Sequence, residues 1–250
     1  MEKIGPTLTA EREARLKKWI GWVETIKHQV YDLHHHRAVW REMRQALLSA
    51  SPDESTFLEH YARLYTERQL SAVRRLVDPD SRAVSLTRLL TELSEHPEIM
   101  TRRLHIELWK VPADPVDVRK CLTKRAHEVF DRYADGDGDN VDPEQVRKDL
   151  ADWQRTCDKI KKIVNKRIAH FEAADDSSIP AATYADLDKA IDAVGDFIRK
   201  YTLLFTAGFI VQMEPTIPSD WKRPFRAPLF EPRYSSLDGP GTGRGPRSEE

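Results

Sequence analysis

A histidine stands at the end of a row of positive charges in the second half of the chain. Arg155, Lys159, Lys162, Lys166 and His170 follow one another at intervals of four, three, four and four residues. This spacing places all five side chains on one face of an α-helix. Cations bind phosphate and an imidazole transfers protons, so the combination suits binding or cleaving a phosphodiester.

A solvated basic face is the second interpretation of this row. Like charges at helical spacing repel one another, and Asp152, Asp158 and acids on neighbouring helices can balance them. The formal net charge of the chain is −1, so no overall positive field attracts nucleic acid. Any nucleic acid would have to be bound by a local patch. Both interpretations stay open on spacing alone.

The helix that carries the row has a clear predicted start. Asp142-Pro143-Glu144-Gln145 supplies a cap, a proline at the first helical position and a reciprocal acceptor. An apolar stripe then predicts a helix that continues to about Phe171 with its other face in the core. The members of the stripe are Val146, Leu150, Trp153, Cys157, Ile160, Val164, Ile168 and Phe171.

The remaining sequence also predicts helices joined by short turns. Only 10 glycines occur, and none lies between Gly21 and Gly136. Capping signals at 51–54, at Ser85 and at 183–186 predict three further helix starts. We therefore expect an all-α protein. The expected helices cover residues 8–49 (one helix or two in line), 52–77, 86–96, 98–109, 115–133, 142–171 and 184–201.

The composition changes after residue 213. Seven of the 15 prolines and four of the 10 glycines fall within 214–250, where no apolar periodicity occurs. Such a segment cannot bury a helical face. We expect a helical domain over 1–213 and an extended or disordered tail over 214–250.

Two segments resemble the HEPN superfamily of helical proteins. Asn165-Lys166-Arg167-Ile168-Ala169-His170 is similar to its motif, an arginine followed after four to six residues by histidine. Residues 72–80, followed by Val84-Ser85-Leu86 and Leu89-Leu90, resemble abortive-infection HEPN proteins of the U type. The resemblance extends over residues 12–212.

The resemblance implies a HEPN-type helix bundle that forms a homodimer, with the motif helices of two subunits facing a shared groove. Many members are metal-independent ribonucleases that act as toxins or antiphage effectors, sometimes with a protein antidote. His170 would then handle the proton of the 2′-hydroxyl or the leaving oxygen, and Lys166 would stabilise charge on the phosphate. The nucleic-acid-binding residues would be Arg155, Lys159, Lys162, Asn165 and Arg167.

The chain departs from the motif at its arginine. Alignment of the Asn165-Lys166 pair places the expected arginine at Val164, within the apolar stripe. A lysine from another turn lacks the bidentate fork of a guanidinium. Three functions therefore stay open: an RNA-cleaving enzyme, a non-catalytic module that binds nucleic acid or a protein, and a structural scaffold.

Three other clusters contain residue types that could bind a metal ion or an anion. Tyr133–Glu144 partly resembles a calcium-binding loop, with an acidic turn that caps the next helix as the alternative. His28, Asp32 and His36 share a helix face that suits weak zinc binding or plain surface histidines. Arg74 either lines a groove beside the motif helix or pairs with Asp78 at the helix end. We expect neither a metal nor a cofactor.

The compartment follows from the cysteines and the apolar runs. Cys121 and Cys157 are too sparse for a disulfide framework and predict two reduced, packed thiols. No signal peptide is recognisable at the N-terminus. The longest apolar run, 203–211, is far shorter than the ~20 residues that span a bilayer. A cytoplasmic protein without membrane partners is expected.

Overall fold

The structure is a computed structural model of the 250-residue chain. It describes residues 10–50, 56–110, 115–136, 138–165, 183–214 and 216. The capping box predicted at 51–54 and the predicted loop around 175–180 lie outside the described residues. So does the predicted tail, apart from Glu214 and Thr216.

Seven α-helices and one 3-10 turn form the described part of the chain, and it contains no strand. The prediction of an all-α protein is confirmed. The first predicted segment is one continuous helix of 41 residues. The helices are α1 (Ala10–Ala50), α2 (Thr56–Leu76), α3 (Leu86–Glu95), α4 (Arg102–Leu108), α5 (Val116–Phe130), α6 (Pro143–Ile163) and α7 (Tyr184–Thr206), and the 3-10 turn is Pro97–Ile99.

Three predicted caps are present. The Ser85 hydroxyl accepts a hydrogen bond from the Arg88 N–H at the start of α3. Asp142 caps α6 by accepting from the Glu144 N–H at 2.9 Å. Thr183 and its partner three residues on form a reciprocal capping box at α7. Side-chain acceptors satisfy N–H groups that have no partner inside a helix, so these positions fix where the helices begin.

The core is built where α1 packs on α7 and where α6 packs on α3 and α7. The apolar stripe of α6 explains why this helix packs on α3 and α7, because exposing these apolar side chains to water is unfavourable. Leu150 is only partly buried. The residues of the stripe that are buried are Val146, Trp153, Cys157, Ile160 and Val164, with Ile163 beside them.

A buried carboxylate also ties α6 to α7. Asp149 is 7% exposed and accepts from the Lys200 ammonium at 2.5 Å and the Tyr201 hydroxyl at 2.7 Å. Burial, together with the nearby Asp149 charge, raises the pKa of Tyr201 above its ordinary value. A buried charge is tolerated when it is paired and hydrogen-bonded in this way. The contact fixes the register of α6 against α7.

The predicted helix over 98–109 is interrupted in the structure. The 3-10 turn ends at Ile99, and Thr101 forms an isolated bridge with Asn140 before α4 begins. The Arg102 N–H donates to the Asp139 carbonyl at 2.8 Å, so this backbone pairs with a distant loop instead of continuing a helix. Local helix propensity gives no sign of such a long-range pairing.

The two cysteines differ in environment. Cys157 is buried, and burial raises the pKa of its thiol. Cys121 is exposed on α5, so the prediction of a packed thiol is wrong there. Among the described helices, none combines the length and the apolar character needed to cross a bilayer.

Candidate phosphate-binding site

The described part of the basic row lies on α6. Arg155, Lys159 and Lys162 stand on the side of this helix opposite its buried stripe, and they are half-buried to exposed. Asn165 follows in a π-helical turn at 164–165, which are the last described residues before a gap. The predicted site residues Lys166, Arg167 and His170 lie outside the described residues.

Two cations of the row pair with acids on their own helix. Arg155 contacts Asp152 at 2.9 Å, and Lys162 contacts Asp158 at 2.7 Å. These are the two acids that the sequence offers for a solvated basic face. Exposed pairs of this kind contribute about 0–1 kcal/mol, so water or an anion replaces either partner readily.

Lys159 is held more firmly than Arg155 and Lys162, the two other described cations of the row. Its ammonium contacts the Asp186 carboxylate at 2.6 Å, and that carboxylate also accepts from the Thr183 backbone N–H at 2.9 Å. The hydrogen bond from Lys159, and then those from Thr183, lower the pKa of Asp186 below its ordinary value. Lys159 therefore links α6 to the capping box of α7. The described row is a compensated surface and not a stripe of unpaired charge.

Val164 explains the departure from the HEPN motif. Its side chain is 5% exposed, and its N–H still donates to the Ile160 carbonyl. An arginine here would bring a charged group into the apolar contact between α6 and its neighbours, which is costly without a partner. The burial of residue 164 therefore explains why an apolar side chain, and not an arginine, occupies this position.

A guanidinium reaches the motif segment from another helix. Arg74, in the last turn of α2, donates from Nε to the Asn165 side-chain oxygen at 3.1 Å. Its Nη1 lies 3.5 Å from the Asp78 carboxylate, which confirms the ion pair expected at the end of α2. The contact with Asn165 was not predicted. Its two residues are 91 positions apart, and no local pattern in the sequence connects them.

The Arg74 guanidinium keeps unused hydrogen-bonding capacity. Its side chain is 23% exposed, and Nη1 is buried without a hydrogen-bond partner in the part of the chain that the structure describes. A buried donor without an acceptor costs about 1–3 kcal/mol. The adjacent Arg75 is exposed. The end of α2 thus places the Arg74 guanidinium beside the motif segment, and its Nη1 is paired with Asp78 by charge but makes no hydrogen bond.

The loop that resembles a calcium site is occupied by an arginine. Arg102 donates to the Gly138 carbonyl at 2.9 Å and the Gly136 carbonyl at 3.2 Å, and its guanidinium pairs with Asp131. Tyr133, at the first ligand position of the resemblance, is buried and donates its hydroxyl to the Lys200 carbonyl. The described part of the loop is an acidic turn that caps α6 and wraps a guanidinium.

The consecutive histidines on α1 face different surroundings. His34 is 3% exposed, and its Nδ1 lies 3.1 Å from Arg37 Nη2. Burial, and then the Arg37 charge, lower its pKa to about 4. The ring of His36 instead contacts Arg68 at 2.6 Å. Within the described ranges, no three histidine, cysteine or acidic side chains are grouped so that they could hold a metal ion.

Comparison with known proteins gives one match. The family model HEPN_AbiU2, described as AbiU2, matches residues 16–223, which include the Arg74 turn and the whole segment from Asn165 to His170. No curated protein and no solved structure matches the chain.

Proposed function

Because the chain belongs to the AbiU2 family of HEPN proteins, an abortive-infection family, we propose that it acts on RNA as a metal-independent endoribonuclease. In this proposal it is a homodimer, and the motif segments of two subunits line one basic groove. The observation that carries the proposal is the position of Asn165, which lies just beyond the C-cap of α6 and binds the guanidinium of Arg74. This places an arginine beside the family's motif although Val164 is apolar.

The proposed reaction needs a group that moves protons and a group that holds the phosphate. His170 takes the proton of the 2′-hydroxyl as this oxygen attacks phosphorus, or returns a proton to the 5′-oxygen as the P–O5′ bond breaks. Lys166 stabilises the negative charge that builds on the phosphate oxygens. Arg155, Lys162 and Arg167 bind flanking phosphates, with the weak α6 pairs giving way to RNA.

A non-catalytic module that binds nucleic acid or a protein partner is the second candidate function. The burial of Val164 favours it, because the arginine of the motif is missing from α6 itself. The contact between Lys159 and Asp186 points the same way, since this cation already has a partner and a structural role.

The first experiment compares wild type with His170→Ala. Purified proteins are incubated with transfer RNA and total RNA in the presence of a chelator, and the products are separated on denaturing gels. His60→Ala is the matched control, because His60 is an exposed histidine on α2. We expect wild type and His60→Ala to cleave RNA, and His170→Ala to lose about 100-fold or more in rate.

Other outcomes separate the candidate functions. Inert wild-type protein that still binds labelled RNA would support the non-catalytic module. Protein that neither cleaves nor binds RNA would refute an RNA-directed function. Sedimentation of the wild type tests the dimer, because a strict monomer has no groove shared between two motif segments.

A further inference from the structure

We propose that Arg74 and Asn165 form a phosphodiester-binding subsite in which the guanidinium of Arg74 replaces the arginine that α6 lacks at Val164. This inference rests on the proposed function and adds a residue from α2 to the site. The ligand is a phosphate of an RNA backbone, bound through its non-bridging oxygens.

The subsite begins with the way Arg74 is held. Nε donates to the Asn165 side-chain oxygen at 3.1 Å, and Nη1 lies 3.5 Å from Asp78, a residue four positions further along the chain. The two partners contact different edges of the planar guanidinium, so they fix its orientation without using all five of its N–H groups. A fixed guanidinium loses little conformational freedom when an anion arrives.

The donor state of Arg74 indicates an anionic ligand. Nη1 is buried and has no hydrogen-bond partner among the described residues, although its charge is near Asp78. A phosphate oxygen that displaced the Asp78 carboxylate from the buried Nη1 would supply the missing acceptor through a charge-assisted hydrogen bond. The side chain as a whole is 23% exposed, so a ligand from solvent meets this residue.

The surrounding charges favour the same ligand. Arg74 is one cation of this corner. Lys161, one helical turn before Asn165 on α6, is a second and is partly exposed. Against these cations stands the Asp78 carboxylate, so this corner of the molecule is positive although the whole chain has a formal net charge of −1. A local positive patch is what a nearly neutral protein needs to attract RNA.

Asn165 has a positioning role in this subsite. Its side-chain oxygen is used by Arg74, so its amide N–H groups are the part that can face a ligand. Asn165 lies in the π-helical turn at 164–165 that follows α6. Such turns occur frequently at functional sites because they move one side chain out of the helical register.

The variants that test the subsite are Arg74→Lys, Arg74→Ala and Asn165→Ala, with Arg75→Ala as the matched control. Arg75 has the same charge on the same turn but does not contact Asn165. Binding of a fluorescein-labelled single-stranded RNA is measured by anisotropy in a His170→Ala background, where the RNA stays intact. Cleavage is measured in the wild-type background. Thermal melting of every variant shows that it is folded.

We expect Arg74→Ala to weaken RNA binding about 10-fold and to lower cleavage about 100-fold, since guanidinium contacts to developing charge often contribute this much. Arg74→Lys is expected to recover binding better than cleavage, because lysine keeps the charge and lacks the fork. Arg75→Ala should change both by less than about 3-fold. Added guanidinium ion should restore cleavage to Arg74→Ala and should have no effect on Arg75→Ala.

Arg74 variants that match wild type in binding and cleavage would overturn the subsite, as would equal losses in the Arg74 and Arg75 variants. If an Arg74 variant does not fold, the binding and cleavage of Asn165→Ala test the subsite, because this variant releases the guanidinium from its side-chain partner without removing it. Loss of function in the Arg74 variants alone, with His170→Ala fully active, would leave the subsite intact and refute the proposed catalytic role. Wild-type protein that neither binds nor cleaves RNA would refute both.

Discussion

Lowering the pH from 7 to 5 is expected to destabilise the protein through His34. This ring is 3% exposed, and its Nδ1 faces Arg37 Nη2 at 3.1 Å. A guanidinium is always a donor, so Nδ1 must accept and the ring must be neutral in the folded protein. Protonation would place two positive charges in contact inside the bundle.

The magnitude follows from the pKa of His34. Burial, and then the Arg37 charge, lower this pKa from 6.5 to about 4, while Asp192 and Glu214 act in the opposite direction. The folded-state pKa lies below the unfolded-state value, so the stabilisation is complete above pH 6.5 and is lost as the pH falls towards 4. At pH 5 the pH is about 1.5 units below the unfolded-state value, which corresponds to a loss of about 2 kcal/mol in the free energy of unfolding.

The assay is urea denaturation of wild type and His34→Gln at pH 7, 6 and 5. Glutamine keeps an acceptor for Arg37 and does not titrate. All other residues are the same in the two proteins, so contributions that they share cancel when the two free energies are subtracted. The difference between wild type and variant should fall by about 2 kcal/mol from pH 7 to pH 5. A difference that does not change with pH would refute the reasoning.

Two further variants test the packing and the basic row. Gly195→Ala places a Cβ 2.8 Å from His34 Nε2, so we expect thermal and urea unfolding to show a loss of about 1–2 kcal/mol, although alanine is the better helix former. The same change in a His34→Ala background should stabilise the protein, and continued destabilisation there would contradict the contact. Asp186→Ala removes the capping acceptor of Thr183 and the partner of Lys159, so we expect a stability loss of about 1 kcal/mol together with tighter RNA binding. Asp196→Ala removes the same charge from α7 and serves as the control; an equal gain in RNA affinity there would show that Lys159 has no specific part.

Local rules explain which parts of the fold could be predicted. Asp142 and Thr183 start their helices as expected, because each capping side chain accepts from a backbone N–H that lies within three residues of it. Five residues of the predicted apolar stripe, Val146, Trp153, Cys157, Ile160 and Val164, are buried as expected, since their spacing alone defines one face of a helix. Leu150 is only partly buried, and Ile168 and Phe171 lie outside the described residues. The ion pair between Arg74 and Asp78 follows from the same i to i+4 geometry.

Contacts between distant segments explain what could not be predicted. Lys159 and Asp186 are 27 residues apart, and Arg102 and Gly138 are 36 residues apart. Each contact gives a cation a structural role, and the sequence alone shows only that the residue is positively charged. The acidic residues of the loop at 133–144 are spaced as in a calcium site. The loop instead binds the guanidinium of Arg102, because α4 places this side chain against the loop.

The cations near the motif segment come from two helices, α6 and α2, and they differ in how strongly each can bind a phosphate. On α6, Arg155, Lys159 and Lys162 each have a carboxylate within 3 Å, so the positive charge of these three residues is largely cancelled before any ligand arrives. Arg74 comes from α2 and combines an ion pair at 3.5 Å with a buried donor that lacks an acceptor. A phosphate gains more from a fixed guanidinium with a loose ion pair than from cations that must first release a closely bound acid. If RNA binds this chain, the strongest contact is therefore expected from the end of α2, and the row on α6 serves to adjust it.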